Sequence, residues 1–189
     1  MAEYNDFIKC SKYKQIESAC LMVSYGTIIE YFTSRRKQVD SILNDYRKKH
    51  FKLPYYKKGE RRKTLEMSVK NHVHDSCIPI NMRGAKYIAE LHNGNGINTL
   101  NDCSFDSFEA PTPQVPIASE LIQELKTKLE NSNSLALIIY ATSADMHTVV
   151  IGYDSDNGGY FCKDPNENTA RIITDFPNYD IYEFALFFR

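Results

Sequence analysis

The sequence lacks the features that mark membrane proteins, disulfide-rich scaffolds and zinc ribbons. It contains no run of about 18 apolar residues that could cross a bilayer. The five cysteines are odd in number and form no C-x-x-C pair, which argues against both a disulfide framework and a paired zinc site. Residues 1–15 contain no apolar stretch of the kind found in secretory signals. We therefore expect a soluble protein with free thiols, either cytoplasmic or exported without a signal peptide.

The net charge is small, but the charged residues are unevenly distributed along the chain. The formal net charge is -1, yet residues 35–63 contain twelve Lys and Arg against three acids. Phe51, Tyr55 and Tyr56 are interleaved with these cations, a pattern that base stacking on nucleic acid could use. Such charge runs are more often solvated faces. We favour a surface for a substrate or an anionic partner at residues 35–63 over a nucleic-acid interface.

Apolar periodicity predicts helices in the first two thirds of the chain. Residues 18–32 and 38–49 carry apolar side chains spaced by three and four, and residues 119–131 do the same with Ser119 as the expected N-cap. Residues 63–70 and 84–92 resemble short helices. The segment 92–116, rich in Asn, Gly, Ser and Pro, is predicted to be a long surface loop.

The last third of the chain has the character of a sheet. Residues 135–140 form a continuous apolar run, and 147–153 are rich in β-branched side chains, as buried strands are. The turn sequence DSDNGG predicts a hairpin between 147–153 and 160–163. Further short strands are expected at 170–174 and 181–188. The pattern indicates an α+β fold in one domain, 1–189, with a helical part to about residue 131 and an antiparallel sheet from about 132.

Cys20 is the first candidate for chemistry. It lies in the first turn of the predicted helix 18–32, and a helix N-terminus stabilises the thiolate, which is the nucleophilic form of cysteine. Gln15 precedes it by five residues, so that its amide and the Cys20 backbone N–H could together hold an oxyanion. A cysteine buried in a helix is equally often a core residue.

His147 and Asp164 form the second element. His147 opens one predicted strand and Asp164 follows the next, so a hairpin would bring both to the same end. An aspartate there can orient the imidazole toward a thiol. Asn166 and Asp145 are alternative candidates for this orienting role. A capping histidine and a turn aspartate are the structural alternative.

The order Gln15, Cys20, His147 and Asp164, with HTVVIGYD followed by GYFCKDPN, resembles the papain-like cysteine peptidases. It is most similar to the bacteriocin-processing peptidases and to papain-like effector proteases of pathogenic bacteria. The resemblance implies a nucleophile helix packed on a C-terminal antiparallel sheet, and cleavage of proteins by a Cys-His-Asp triad through an acyl-enzyme, with Gln15 in the oxyanion hole. It leaves residues 35–131 unmatched. Delivery into a host cell is a hypothesis that rests on this resemblance alone.

Other functions remain open at this point. The same triad could serve a deamidase, a transglutaminase or a peptidoglycan amidase, and the fold could be a non-catalytic peptide-binding module. His72, His74 and Cys77 have metal-ligand spacing, but no fourth ligand is near them in the sequence, and we expect neither a metal nor a cofactor. Cys162 falls within a predicted strand and is expected to be a core residue.

Overall fold

The computed structural model describes residues 4–10, 20–33, 104–109, 115–143 and 146–188. The described helices are α1 (Tyr4–Cys10), α2 (Cys20–Thr33) and α3 (Ser119–Asn131). The strands are β1 (Ser104–Glu109), β2 (Ser134–Ala141), β3 (Met146–Asp154), β4 (Gly159–Lys163), β5 (Arg171–Ile173) and β6 (Ile181–Phe188). Among the residues described, no helix is both long and apolar enough to span a membrane. The arrangement is α+β.

All six strands belong to one antiparallel sheet in the order β1-β6-β2-β3-β4-β5. The chain places β2, β3, β4 and β5 side by side in sequence order and then returns along the other side of β2 with β6. Strands β3 and β4 form the hairpin predicted from the DSDNGG turn. The sheet is therefore centred on β2 and β3.

Helices cover both faces of this sheet. On one face, Leu125 and Leu129 of α3 pack on alternate residues of the central strands. On the other face, Phe7 of α1 packs on Phe161 with ring centroids 4.6 Å apart, and Tyr25 of α2 meets Phe187 edge-on at 5.8 Å. Burial on both faces explains why residues 135–139 read as a continuous apolar run rather than an alternating one.

Most elements predicted at the two ends of the chain are confirmed. Helix α2 matches the prediction for residues 18–32, and α3 matches 119–131. The five predicted strands correspond to β2, β3, β4, β5 and β6. The helices predicted at 38–49, 63–70 and 84–92, and the basic segment 35–63, lie outside the described residues.

Two predictions need correction, and one helix was missed. Strand β1 lies inside the predicted loop 92–116, and therefore upstream of the expected start of the sheet at about 132; it forms because it pairs along its whole length with β6, a long-range contact that outweighs local composition. Ser119 is not the N-cap: Ala118 holds that position, and the Ser119 hydroxyl contacts the Glu120 carboxylate instead. Helix α1 was not predicted.

Candidate active site

Cys20 is the first residue of α2 and rests against the start of β3. Its Sγ lies 3.7 Å from Oγ1 of Thr148. One turn further along α2, the Ser24 hydroxyl donates a hydrogen bond of 3.3 Å to the Thr148 carbonyl. Residues four apart share a helix face, so Cys20 and Ser24 dock together on the same strand residue. This double contact fixes the nucleophile candidate relative to the sheet.

The β3–β4 hairpin brings His147 and Asp164 together. Val150 pairs with Lys163 at the end of the ladder, so that His147 and Asp164 lie beyond the same end. Nε2 of His147 is 2.9 Å from Oδ1 of Asp164. The prediction that the hairpin would bring these two side chains together is confirmed.

A tight turn holds Asp164 in place. The Glu167 N–H donates to the Asp164 carbonyl at 3.0 Å, and the Asn166 N–H donates to Oδ1 of Asp164 at 2.8 Å. Aspartate first and proline second is a favoured sequence for such a turn, because the Asp side chain accepts from the backbone two residues on and Pro165 presets its own φ. The fully buried Lys163 ammonium donates to the carbonyls of Asp164 and Glu167. The turn is thus held both by its own hydrogen bonds and by those from the Lys163 side chain.

The pKa values of Cys20 and His147 are shifted in opposite directions. Burial alone would raise the pKa of the Cys20 thiol, but hydrogen bonds with His147 and Thr148 outweigh it and lower that pKa. Burial alone would lower the pKa of His147, yet its hydrogen bonds with Asp164 and Cys20 raise the pKa to about 9. Both shifts favour transfer of the thiol proton to the imidazole. The two pKa shifts together favour a thiolate–imidazolium pair.

Asp164 keeps its charge in this environment. Burial opposes ionisation, but the hydrogen bonds from His147 and from the Asn166 backbone hold the pKa of Asp164 below its usual value. An ionised carboxylate only accepts, so Nε2 of His147 must donate to it. This leaves Nδ1 as the nitrogen for the hydrogen bond with Cys20. The ring is oriented as an acid–base group needs to be.

Two tyrosines form a wall beside the imidazole. The Tyr140 ring meets His147 edge-on with centroids 5.7 Å apart, and Tyr179 stacks on Tyr140 at 3.9 Å. Burial, together with the neighbouring Tyr179 and Asp164, raises the pKa of Tyr140 well above its usual range, so that its hydroxyl stays neutral. With these rings beside it, the His147 side chain is 12 % exposed, and that of its partner Asp164 is 20 % exposed.

The other candidate residues named from the sequence either make weaker contacts with this site or lie outside the part of the chain that the structure describes. Asn166 places its Nδ2 3.5 Å from Nε2 of His147, so Asp164 and not Asn166 makes the shorter contact with the ring. Gln15 and Asp145, and the cluster of His72, His74 and Cys77, lie outside the described residues. Within the ranges that the structure describes, no three His, Cys, Asp or Glu side chains are grouped as a metal site would require. Cys162 is buried, as predicted.

The chain matches no family model, no curated protein and no solved structure.

Sequence reasoning missed three residues that support this site. They are Ser24 and Thr148, which hold α2 against β3, and Lys163, which donates a hydrogen bond to the Asp164 carbonyl. Thr148 could have been noticed as the neighbour of His147. No local pattern distinguishes Ser24 or Lys163, because their partners are set by the packing of α2 on β3 and by the path of the turn.

Proposed function

We propose that this protein is a papain-like cysteine peptidase that cleaves protein or peptide substrates. The observation that carries the proposal is the His147–Asp164 hydrogen bond together with the lowered pKa of the Cys20 thiol, to which His147 and Thr148 contribute. An activated nucleophile consists of a thiol at a helix N-terminus, an imidazole that takes its proton, and a carboxylate that hydrogen-bonds to the other ring nitrogen. A purely structural role for Cys20 in the core, or for His147 as a capping residue, would not account for all three of these groups.

The proposed reaction is acyl transfer in two steps. His147 holds the proton of Cys20, and the thiolate attacks the substrate carbonyl to form a tetrahedral intermediate. The imidazolium then gives its proton to the departing amine, and the C–N bond breaks to leave a thioester on Cys20. In the second step His147 takes a proton from water, which attacks the thioester, and the Cys20 sulfur leaves. Asp164 keeps the ring oriented throughout.

The oxyanion of each intermediate needs hydrogen-bond donors. The Cys20 backbone N–H is suited to this role because the first N–H groups of a helix have no acceptor within the helix. Gln15 is proposed as the second donor on the basis of its position before Cys20.

Site-resolved alkylation tests whether Cys20 is an activated thiol. With iodoacetamide at pH 6 we expect Cys20 to be labelled at least tenfold faster than Cys162, because burial raises the pKa of Cys162 to about 12. His147→Ala should slow the labelling of Cys20 about tenfold or more relative to wild type, since the remaining burial of Cys20 disfavours the thiolate. Peptide mass spectrometry distinguishes the cysteines, and Cys20→Ser identifies the labelled position.

A substrate panel then separates the possible activities. Wild type and Cys20→Ser would be incubated with a mixed peptide library, with glutamine peptides assayed for released ammonia, and with purified muropeptides. New peptide termini that depend on Cys20 support the proposal. Ammonia or muropeptide cleavage alone would identify a different hydrolase of the same site. A reactive Cys20 with no product from any substrate, or labelling of Cys20 no faster than of Cys162, would contradict it.

The pH dependence of hydrolysis should be bell-shaped. Because the pKa of His147 is raised to about 9, its proton is present below that pH and lost as the pH rises through it. Activity should therefore decline above about pH 9, while the acid limb follows protonation of the Cys20 thiolate. These limbs belong to the coupled pair rather than to single residues. A rate that keeps rising beyond pH 9, as for a free thiol, would contradict the ion pair.

A further inference from the structure

The Thr148 hydroxyl is placed against the reacting sulfur. Thr148 is 2 % exposed, and its Oγ1 lies 3.7 Å from Sγ of Cys20, within the range of a sulfur hydrogen bond. It follows His147 directly in β3, and the side-chain hydrogen bonds that lower the pKa of the Cys20 thiol come from these two residues. The sulfur therefore has two side-chain partners, an imidazole and a hydroxyl.

The backbone of Thr148 is held independently of the thiol. Its carbonyl accepts the Ser24 hydroxyl, and its strand pairs with Ile139 of β2. A β-branched side chain has few accessible χ1 angles once its backbone is fixed. Oγ1 is thus directed at the sulfur by the strand and does not depend on the thiol for its position.

A hydroxyl in this position can serve both charge states of the thiol. It accepts when Cys20 carries its proton, and it can rotate to donate when the sulfur is ionised. A buried thiolate has lost its hydration and is stabilised by each donor that replaces water. His147 supplies one such donor while it is protonated, and it surrenders that proton to the departing amine. The Thr148 hydroxyl keeps its own proton throughout the cycle.

We infer that Thr148 is a further catalytic residue, whose hydroxyl donates a hydrogen bond to the Cys20 thiolate before attack and again when the sulfur leaves the acyl-enzyme. The inference rests on the proposed function, because only an ionising sulfur needs this donor. A threonine that merely fills the α2–β3 interface would contribute through its shape, and its hydroxyl would be replaceable by a methyl group.

Thr148→Val and Thr148→Ser separate these two roles. Valine keeps the branched shape and removes the donor, whereas serine keeps the donor and removes a methyl group. The rate of Cys20 alkylation by iodoacetamide would be followed from pH 5 to 10. We expect the Thr148→Val midpoint to rise by about one pH unit, which means about tenfold less thiolate below both midpoints. Thr148→Ser should keep the wild-type midpoint even if it unfolds at a lower temperature.

The outcomes distinguish the inference from the proposed function. A lowered wild-type midpoint that is unchanged in Thr148→Val would overturn the inference and leave the proposed function standing. A wild-type midpoint at the ordinary thiol value of about 8.5 would overturn both. Thr148→Ala provides a second donor-free variant, to be compared with Thr148→Ser, should the valine variant fail to fold. Thermal unfolding of each variant reports the packing effect separately.

Discussion

Replacement of His147 by alanine is expected to slow hydrolysis of the best-cleaved library peptide by about 10²- to 10⁴-fold, the usual contribution of general acid–base catalysis. Two effects add. The thiol loses the hydrogen bond and the positive charge that lower its pKa, and the departing amine loses its proton donor. The measurement is kcat/KM with purified full-length protein. Because both effects act on the transition state, the loss should lie mainly in kcat.

Asp164→Asn provides the test of whether these residues act as a unit. Asparagine cannot hold the imidazolium by charge, so this variant alone should also lose activity, although less than His147→Ala. In the double variant the loss should equal that of His147→Ala, because Asp164 acts only through the ring. Ile172→Ala, at an exposed position in β5, is the control for a general effect of mutation. Losses that simply add in the double variant would contradict a shared role.

The contact between His147 and Asp164 could be predicted because it is local. Their separation is bridged by one hairpin, and hairpin register follows from turn length and from the β-branched run that flanks the turn. The Asp-Pro pair marks the end of β4 by the same local chemistry, since proline cannot continue a ladder. For His147 and Asp164, predicting the hairpin is therefore enough to predict that the two side chains meet.

The position of Cys20 against β3 could not be derived in this way. Cys20 and Thr148 are 128 residues apart in the sequence, and a helix can pack on a sheet in many registers. The resemblance to papain-like peptidases implied only that the helix carrying Cys20 would pack on the C-terminal sheet, without naming a strand. The register itself comes from side-chain packing, including the Ser24 hydrogen bond to the Thr148 carbonyl, and periodicity carries no information about such a contact.

The two missed elements have the same cause. Helix α1 has only seven residues, too few for a helix to be stable alone in water, and it is held by Phe7 packing on Phe161 and Tyr31. Strand β1 is held by β6, its only neighbour among the strands that the structure describes. Both elements owe their structure to partners far along the chain, so their own residues give little sign of it.

Gly152→Ala is expected to destabilise the fold by about 3 kcal/mol, at the upper end of the usual range for overpacking a core. Gly152 lies in β3 between Leu135 of β2 and Phe161 of β4, its direct partners in the sheet. A Cβ at this position would lie 2.1 Å from Cζ of Phe161 and 2.9 Å from Cδ2 of Leu135. The Phe161 ring therefore occupies the space that the missing side chain leaves.

The ring cannot move aside at small cost. Phe161 is fully buried, and Phe7 and Tyr4 of α1 pack against it with centroid distances of 4.6 and 5.9 Å. Moving the ring would displace α1 from the sheet. Urea unfolding of wild type and variant gives the difference in the free energy of unfolding. A difference below about 0.5 kcal/mol, the range of ordinary surface changes, would show that the ring yields easily.

Two further variants identify the clash as the cause. Gly158→Ala tests the addition of a methyl group where no atom lies within 4 Å; its φ of 63° gives a cost of only about 1 kcal/mol from backbone strain. Phe161→Leu replaces the ring that meets the new Cβ by a shorter side chain. In the double variant the two losses of stability should therefore be less than additive. Strict additivity would place the cost of Gly152→Ala elsewhere, for example in the β3 backbone. Sub-additivity would show that the contact between the new Cβ and the Phe161 ring is the source of the cost.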